Sequence, residues 1–128
     1  MTDETLINKL VHIRDMAKQA CDFAEGMSVD MFLGDPLTQQ ACCMNLIIIG
    51  EASRKILNEW PAFATHHASV GWHRMTGMRN RVAHGYEEID FEIVWNTVKQ
   101  ELPRLIERLD SLLVLKEELP PPPPHSAP

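Results

Sequence analysis

The sequence predicts an all-helical fold with one hydrophobic core. Apolar residues recur every three or four positions along four stretches of the chain, which is the period of an amphipathic helix. No stretch alternates polar and apolar residues in the manner of a strand, and glycine and proline residues separate the helical stretches. With 128 residues, of which 45% are hydrophobic, the chain has the size of a single globular domain.

The first two helices have clear boundary signals. Apolar periodicity over residues 5–24 predicts the first helix, and Gly26 ends it. Asp35 is a favoured N-cap residue and Pro36 is favoured at the first helical position, so the pair predicts the start of a second helix. This helix should run until Pro61 stops it.

The middle of the second helix, residues 41–49, is apolar on nearly all sides. Such a helix packs on more than one face, either within the fold or against a second copy of the chain. After an irregular or briefly helical segment, residues 61–71, a third helix is predicted over residues 72–83. Gly85 is expected to end it as a left-handed C-terminal stop.

A fourth helix is predicted to begin near Asp90. Its apolar pattern continues through Pro103, where we expect a kink and not a break. Five consecutive prolines follow Leu119, and they favour an extended polyproline conformation. We therefore divide the chain into a folded domain, residues 1–118, and a disordered proline-rich tail, residues 119–128.

Composition excludes several classes of protein. Cys21, Cys42 and Cys43 do not have metal-ligand spacing, and their odd number favours buried thiols in a reducing compartment. We expect no metal and no cofactor. The absence of a long apolar run and the polar N-terminus indicate a cytoplasmic protein without a membrane span or signal peptide.

The charge distribution is uneven. A net charge of −6 argues against bulk attraction to nucleic acid, but no Asp or Glu occurs between Trp60 and Tyr86. A local basic patch of this kind could hold a few phosphates. The arginines and histidines of the segment are Arg74, Arg79, Arg81, His66, His67, His73 and His84.

Arg79, Asn80 and His84 form the most informative constellation. Asn80 and His84 are four positions apart and share one face of the predicted third helix, and the long side chain of Arg79 can reach the same volume. An imidazole can exchange a proton with the 2′-hydroxyl or the departing 5′-oxygen of RNA. A guanidinium can bind phosphate oxygens in pairs and stabilise transition-state charge. The three side chains could thus cleave RNA without a metal.

Spacing alone leaves structural alternatives open. An arginine near a helix C-terminus commonly binds the last carbonyls, and a histidine in a helical protein is usually structural. One histidine per chain is also few for a reaction that needs a base and an acid. Two copies meeting across a two-fold axis would supply two of each.

The segment Arg79-Asn80-x-x-x-His84-x-Tyr86 resembles the Arg-x4-His-x-Tyr signature of HepT-like toxins, a branch of the HEPN superfamily of ribonucleases found in type VII toxin–antitoxin systems. Residues 48–53, 72–78 and 89–103 resemble further phrases of that family, in the same order. The resemblance covers about residues 3–115.

The resemblance implies a homodimeric HEPN-type antiparallel bundle of four to five helices with a composite site at the dimer interface. It implies a metal-independent endoribonuclease toxin in which Arg79 and His84 are the catalytic pair and Asn80 is their polar companion. It also implies a partner, an MNT-type nucleotidyltransferase antitoxin, which can neutralise the toxin by transferring AMP to Tyr86. The added negative charge and bulk would obstruct RNA.

Two further groups of residues have open interpretations. Glu51 lies in an otherwise apolar helix, and a carboxylate there needs a partner if it is buried. Our hypothesis is that Glu51 pairs with Arg79 or Arg54 and orders the site from behind; the alternative is that it faces solvent. The histidines at positions 66, 67 and 73, near Arg74, could extend an RNA path or be simply exposed.

A second function of a different class remains open. HEPN-like domains also serve as non-catalytic binding modules that partner minimal nucleotidyltransferases, and the acidic balance of this chain suits protein binding. Arg79 and His84 discriminate between the two functions, because a scaffold has no need to keep them together.

Overall fold

The computed structural model describes residues 3–118, apart from the side chains of Asp3, Tyr86 and residues 115–118. Within this part of the chain every regular element is helical and there is no strand, so the all-α prediction is confirmed. The predicted proline-rich tail, residues 119–128, lies outside the described residues. The α-helices are α1 (Asp3–Phe23), α2 (Val29–Leu33), α3 (Pro36–Glu59), α4 (Pro61–His66), α5 (Trp72–His84), α6 (Phe91–Asn96) and α7 (Leu102–Glu118).

Local capping chemistry sets the ends of the first long helices. Gly26 has a φ of +75°, the left-handed conformation expected of a residue just after a helix. The Asp35 carboxylate accepts the backbone N–H of Thr38 at 3.1 Å, which caps α3 as predicted. Pro36 occupies the first turn of α3, where a missing N–H has no cost.

The short helix α2 was not predicted from the sequence. Ser28 caps it by accepting the N–H of Met31 at 3.2 Å, and Phe32 anchors it in the core. The predicted left-handed stop at Gly85 is wrong, because Gly85 has a φ of −108°. Its N–H donates to the Arg81 carbonyl at 2.9 Å, so α5 ends by passing directly into the 3₁₀ turn Tyr86–Glu88.

The last helix passes through Pro103 without a break, as predicted. α6 joins α7 through a π-helical turn, Thr97–Glu101. A proline cannot donate to the carbonyl four residues earlier, which here belongs to Lys99 in this turn. The wider turn accommodates the missing hydrogen bond and keeps the helix continuous.

The core lies between α3 and the helices packed around it. α3 contacts α1 on one side and α5 on the other, and α7 packs on α1. The cysteines are free thiols, and burial raises the pKa of Cys42 to about 12 and of Cys43 to about 11. None of the helices in residues 3–118 combines the length and the apolar character that a membrane span requires. The largest fully buried side chains include Trp72, Phe32, Ile13, Leu46, Ile49, Ile56, Leu102, Leu105 and Leu109.

Candidate active site

Gly50 lets α5 approach α3 closely. A Cβ atom at this position would lie 2.1 Å from the Arg79 Cβ and 2.6 Å from the Met75 carbonyl oxygen, distances that real side chains do not tolerate. Only a glycine leaves room for the stem of Arg79 against the backbone of α3. The start of the Arg79 side chain is therefore fixed by direct contact between the two helices.

The direction of α5 brings its C-terminal end alongside α3. The Trp72 ring at the start of α5 lies 6.2 Å from the Phe63 ring in α4, the helix that directly follows α3. Arg79, further along α5, faces Gly50 in the middle of α3. α5 therefore runs back along α3, and His84 lies toward the N-terminal half of α3.

The structure brings Arg79, Asn80 and His84 together. Nη1 of Arg79 donates to Oδ1 of Asn80 at 3.0 Å and lies 3.5 Å from Nε2 of His84. A guanidinium only donates, so the second contact is a hydrogen bond when Nε2 carries a lone pair. Asn80 and His84 are exposed, and Arg79 is half-buried, so the group opens to solvent at the end of α5.

Glu51 fixes the other edge of the Arg79 guanidinium. Nη2 of Arg79 lies 3.3 Å from Oε2 of Glu51, and Nε of Arg54 donates to Oε1 at 3.2 Å. Hydrogen bonding from Arg54, followed by the charges of Arg54 and Arg79, holds the pKa of Glu51 below its ordinary value. The hypothesis that Glu51 pairs with Arg79 or Arg54 is confirmed, and it pairs with both.

The two terminal nitrogens of the Arg79 guanidinium have different neighbours. Glu51 holds Nη2, while Nη1 faces the exposed side chains of Asn80 and His84. A fixed cation beside an accessible imidazole is suited to a phosphodiester, whose charge grows during cleavage. The geometry can thus combine phosphate binding with proton transfer at one helix end.

Other members of the basic segment lie apart from this group. Nη1 of Arg74 forms an ion pair with Glu101 at 2.6 Å. The His67 ring packs 4.7 Å from the rings of both Phe63 and His66, and burial, followed by the charge of His66, lowers the pKa of His67. In the described part of the chain, no hydrogen bond or ion pair links these side chains to Arg79.

A groove that the sequence does not predict lies next to Arg79. Its volume is about 700 Å³, and residues of α1, α3 and α5 line it. Lys9 and His12 of α1 and Lys55 of α3 line it together with Arg79. No spacing signal links these residues, because they come from three helices that meet only in the folded chain.

Two further expectations about the site concern Tyr86 and a bound metal. The side chain of Tyr86 lies outside the described side chains; its backbone starts the 3₁₀ turn that follows Gly85. Among the described residues, no group of three His, Cys, Asp or Glu side chains is arranged to hold a metal ion.

Similarity to known proteins agrees with these features. The family model described as ribonuclease HepT-like matches residues 13–112. A protein named as an RNase in Caldanaerobacter subterraneus subsp. tengcongensis is 32% identical over 99 residues, covering 74% of this chain and 86% of the relative. A protein named probable ribonuclease HepT in Thermococcus cleftensis is 35% identical over 91 residues, covering 71% and 80% respectively.

A protein named as an RNase in Methanocaldococcus jannaschii is 31% identical over 104 residues, covering 81% of this chain and 84% of the relative. No solved structure matches the chain significantly. The family match spans most of the described helices and includes the segment from Arg79 to Tyr86. The chain therefore belongs to the HepT-like ribonuclease family.

Proposed function

We propose that this protein is a metal-independent endoribonuclease, the toxin of a HepT/MNT toxin–antitoxin system. One observation carries the proposal. The guanidinium of Arg79 is held by Glu51 on one edge and reaches Asn80 and His84 with the other, at a solvent-exposed helix end. The match to the HepT-like family supports the same activity.

In this mechanism His84 and Arg79 act on one phosphodiester. The imidazole takes the proton from a 2′-hydroxyl as that oxygen attacks phosphorus, and the P–O5′ bond breaks. The 5′-oxygen takes a proton from the protonated His84 of a second copy and leaves as a hydroxyl, and the other product ends in a 2′,3′-cyclic phosphate. Arg79 stabilises the charge on the non-bridging oxygens, and Asn80 orients the guanidinium.

We further propose that two copies associate and form a composite site. Support comes from an exposed apolar face on α2 and the N-terminal half of α3, where Leu37 is 80% exposed and Met31 and Met44 are each 56% exposed. Exposed large apolar side chains that lie close together often mark interaction surfaces. Because the His84 end of α5 lies toward this half of α3, a two-fold axis there would bring a second imidazole near the first.

The proposed control is transfer of AMP to Tyr86 by a cognate MNT-type nucleotidyltransferase. The backbone of Tyr86 starts two residues after His84 and follows α5 directly. A phosphodiester on its ring would add a negative charge next to the place where RNA phosphate binds, and repulsion would inhibit cleavage. Modification should add about 329 Da, the mass of one AMP residue, and it should be lost in Tyr86→Phe.

The central experiment measures cleavage of a labelled single-stranded RNA by the purified full chain with and without a chelator. We expect cleavage that resists the chelator and falls by about 100-fold or more in both Arg79→Ala and His84→Ala. Arg104→Ala, an exposed arginine on α7 outside the basic segment, is the matched control and should cleave normally.

Equal cleavage by the wild-type protein and both variants would contradict the proposal. No cleavage by any of them would instead favour a non-catalytic HEPN module that binds a nucleotidyltransferase. Cleavage that stops when the chelator is added would contradict the metal-free mechanism alone.

A further inference from the structure

The groove beside Arg79 is a separate feature from the Arg79–His84 contact. α1 supplies one wall with Lys9 and His12, α3 forms the floor, and Arg79 of α5 stands on the opposite side. Its volume of about 700 Å³ falls within the range of about 300–1,000 Å³ found for pockets that hold small ligands. A space of this volume can hold a few units of a single strand.

The charge of this groove is opposite to that of the whole chain. Lys9, Lys55 and Arg79 line it, and Glu51 is the acidic residue among its described lining. That carboxylate already contacts both Arg54 and Arg79. By contrast, no described carboxylate lies within 4 Å of the ammonium groups of Lys9 and Lys55. In a chain of net charge −6, a groove with spare positive charge selects an anion.

The floor of the groove has a different chemistry. Ile48 and Ala52 of α3 expose apolar surface between the two charged sides. A polyanion with flat apolar groups, such as a single RNA strand, matches this combination, because its phosphates can meet the lysines while a base or ribose covers the floor. An isolated inorganic anion would leave the apolar floor unused.

We propose that the RNA segment adjoining the scissile phosphate lies in this groove, with Lys9 and Lys55 binding its phosphates and His12 contacting its backbone. The inference rests on the proposed ribonuclease function and adds the path of the substrate. The strand passes from the exposed His84 across Arg79 and then over α3, alongside α1. Arg79 touches both regions, which places it at the junction between the scissile phosphate and the bound segment.

This RNA path also uses cations from outside the basic segment between Trp60 and Tyr86. Arg74 is engaged by Glu101 at 2.6 Å, so its charge is already compensated. The groove's other cations, Lys9 and Lys55, come instead from α1 and from the C-terminal half of α3, outside the basic segment of the sequence. We therefore expect the affinity for RNA to depend on residues outside the Arg79–Tyr86 signature.

The test measures binding of a fluorescent single-stranded RNA to the full chain by anisotropy, over a series of salt concentrations. A His84→Ala background prevents cleavage during the measurement. The groove variant carries Lys9→Gln and Lys55→Gln. The matched control carries Lys18→Gln and Arg104→Gln, which remove the same charge from exposed positions on α1 and α7.

We expect the groove variant to bind about tenfold more weakly at 0.1 M salt, with the slope of log K against log salt reduced by about 1.4, or about 0.7 for each lost phosphate contact on a single strand. The control should bind like the parent protein. Equal binding by the groove variant and the control would overturn the inference, even if cleavage by the wild-type protein confirms the ribonuclease.

Two other outcomes separate this inference from its alternatives. If the groove variant loses self-association in sedimentation and keeps RNA binding, a second copy occupies the groove and the inference is wrong. If the wild-type protein neither binds nor cleaves RNA, the proposed function itself fails. His12→Gln added to the groove variant should weaken binding further if the strand follows this path.

Discussion

At the residue scale, the chemistry depends on how firmly one guanidinium is held. Among the described side chains Arg79 has three polar neighbours, and Glu51 is the one that carries a charge opposite to its own. Because Glu51 touches Nη2 and leaves Nη1 to Asn80 and His84, we assign it a positioning role. It sets the orientation of the guanidinium without contacting the substrate.

Glu51→Gln tests this role. The amide keeps the size of the side chain and removes the charge that aligns Arg79, and a misplacement of about 1 Å can cost about 100-fold in rate. We expect kcat to fall by about ten- to hundredfold at pH 7 with a smaller change in KM. Glu107→Gln, an exposed acid on α7, is the control and should leave kcat unchanged.

The pH dependence of the Glu51→Gln effect has a defined sign. The fold lowers the pKa of Glu51 below its ordinary 4.5, so the ion pair is fully formed above that pH and is lost as the pH falls through the folded pKa. The unfolding midpoints of wild-type protein and variant should therefore differ at pH 7 and converge well below pH 4.5. A difference that persists at low pH would show that the charge of Glu51 is not the cause.

At the scale of elements, the contact between α3 and α5 determines where the site can form. Gly50→Ala places a methyl group within 2.1 Å of the Arg79 Cβ, so the helices must separate. We expect a loss of about 1–3 kcal/mol in the free energy of unfolding, as in other overpacked interiors, together with a marked loss of cleavage. Urea denaturation and the cleavage assay measure the two effects.

Gly77→Ala is a matched control for Gly50→Ala. Gly77 lies inside α5, and a Cβ there would have nothing within 4 Å. Alanine should therefore stabilise the protein by about 0.5–1 kcal/mol through helix propensity. If both substitutions stabilise the protein, the close approach of α5 to α3 is not required.

The elements differ in how far the sequence predicts them. The start of α3 at Pro36 was predicted because capping is local chemistry between neighbouring residues, and Asp35 indeed caps it. The helix α2 has five residues, too few to show a period, so it was not predicted. Gly85 was wrongly assigned a left-handed conformation because the 3₁₀ turn that follows it leaves no trace in the residue pattern.

The residues of the site also differ in how far the sequence predicts their arrangement. Asn80 and His84 share a helix face, so local periodicity predicts that they lie together with Arg79. The pairing of Glu51 with Arg79 was a hypothesis that only the packing of α3 on α5 could decide. The groove of Lys9 and Lys55 is a long-range product of the fold, and sequence spacing contains no information about it.

At the scale of the whole molecule, the surface has an uneven distribution of polarity. Positive charge is concentrated in the groove near the C-terminal half of α3, whereas the N-terminal half of α3 and α2 expose apolar side chains. Lys55 and Met44 lie on the same face of α3, eleven positions apart, which is close to three helical turns. One face of α3 can thus bind RNA near its C-terminal end and a second copy of the chain near its N-terminal end.

Met44→Glu separates these two uses. A carboxylate in the proposed interface would be buried without a partner, so the dimer should dissociate in sedimentation equilibrium, while the melting temperature of the monomer changes little. Cleavage should fall because the composite site loses its second half, although Arg79 and His84 remain in contact within each chain. Val114→Glu is the control, since Val114 on α7 is 52% exposed and Met44 is 56% exposed. A wild-type protein that sediments as a monomer and still cleaves RNA would contradict the composite site. A Met44→Glu variant that remains dimeric would contradict the placement of the interface on α2 and α3.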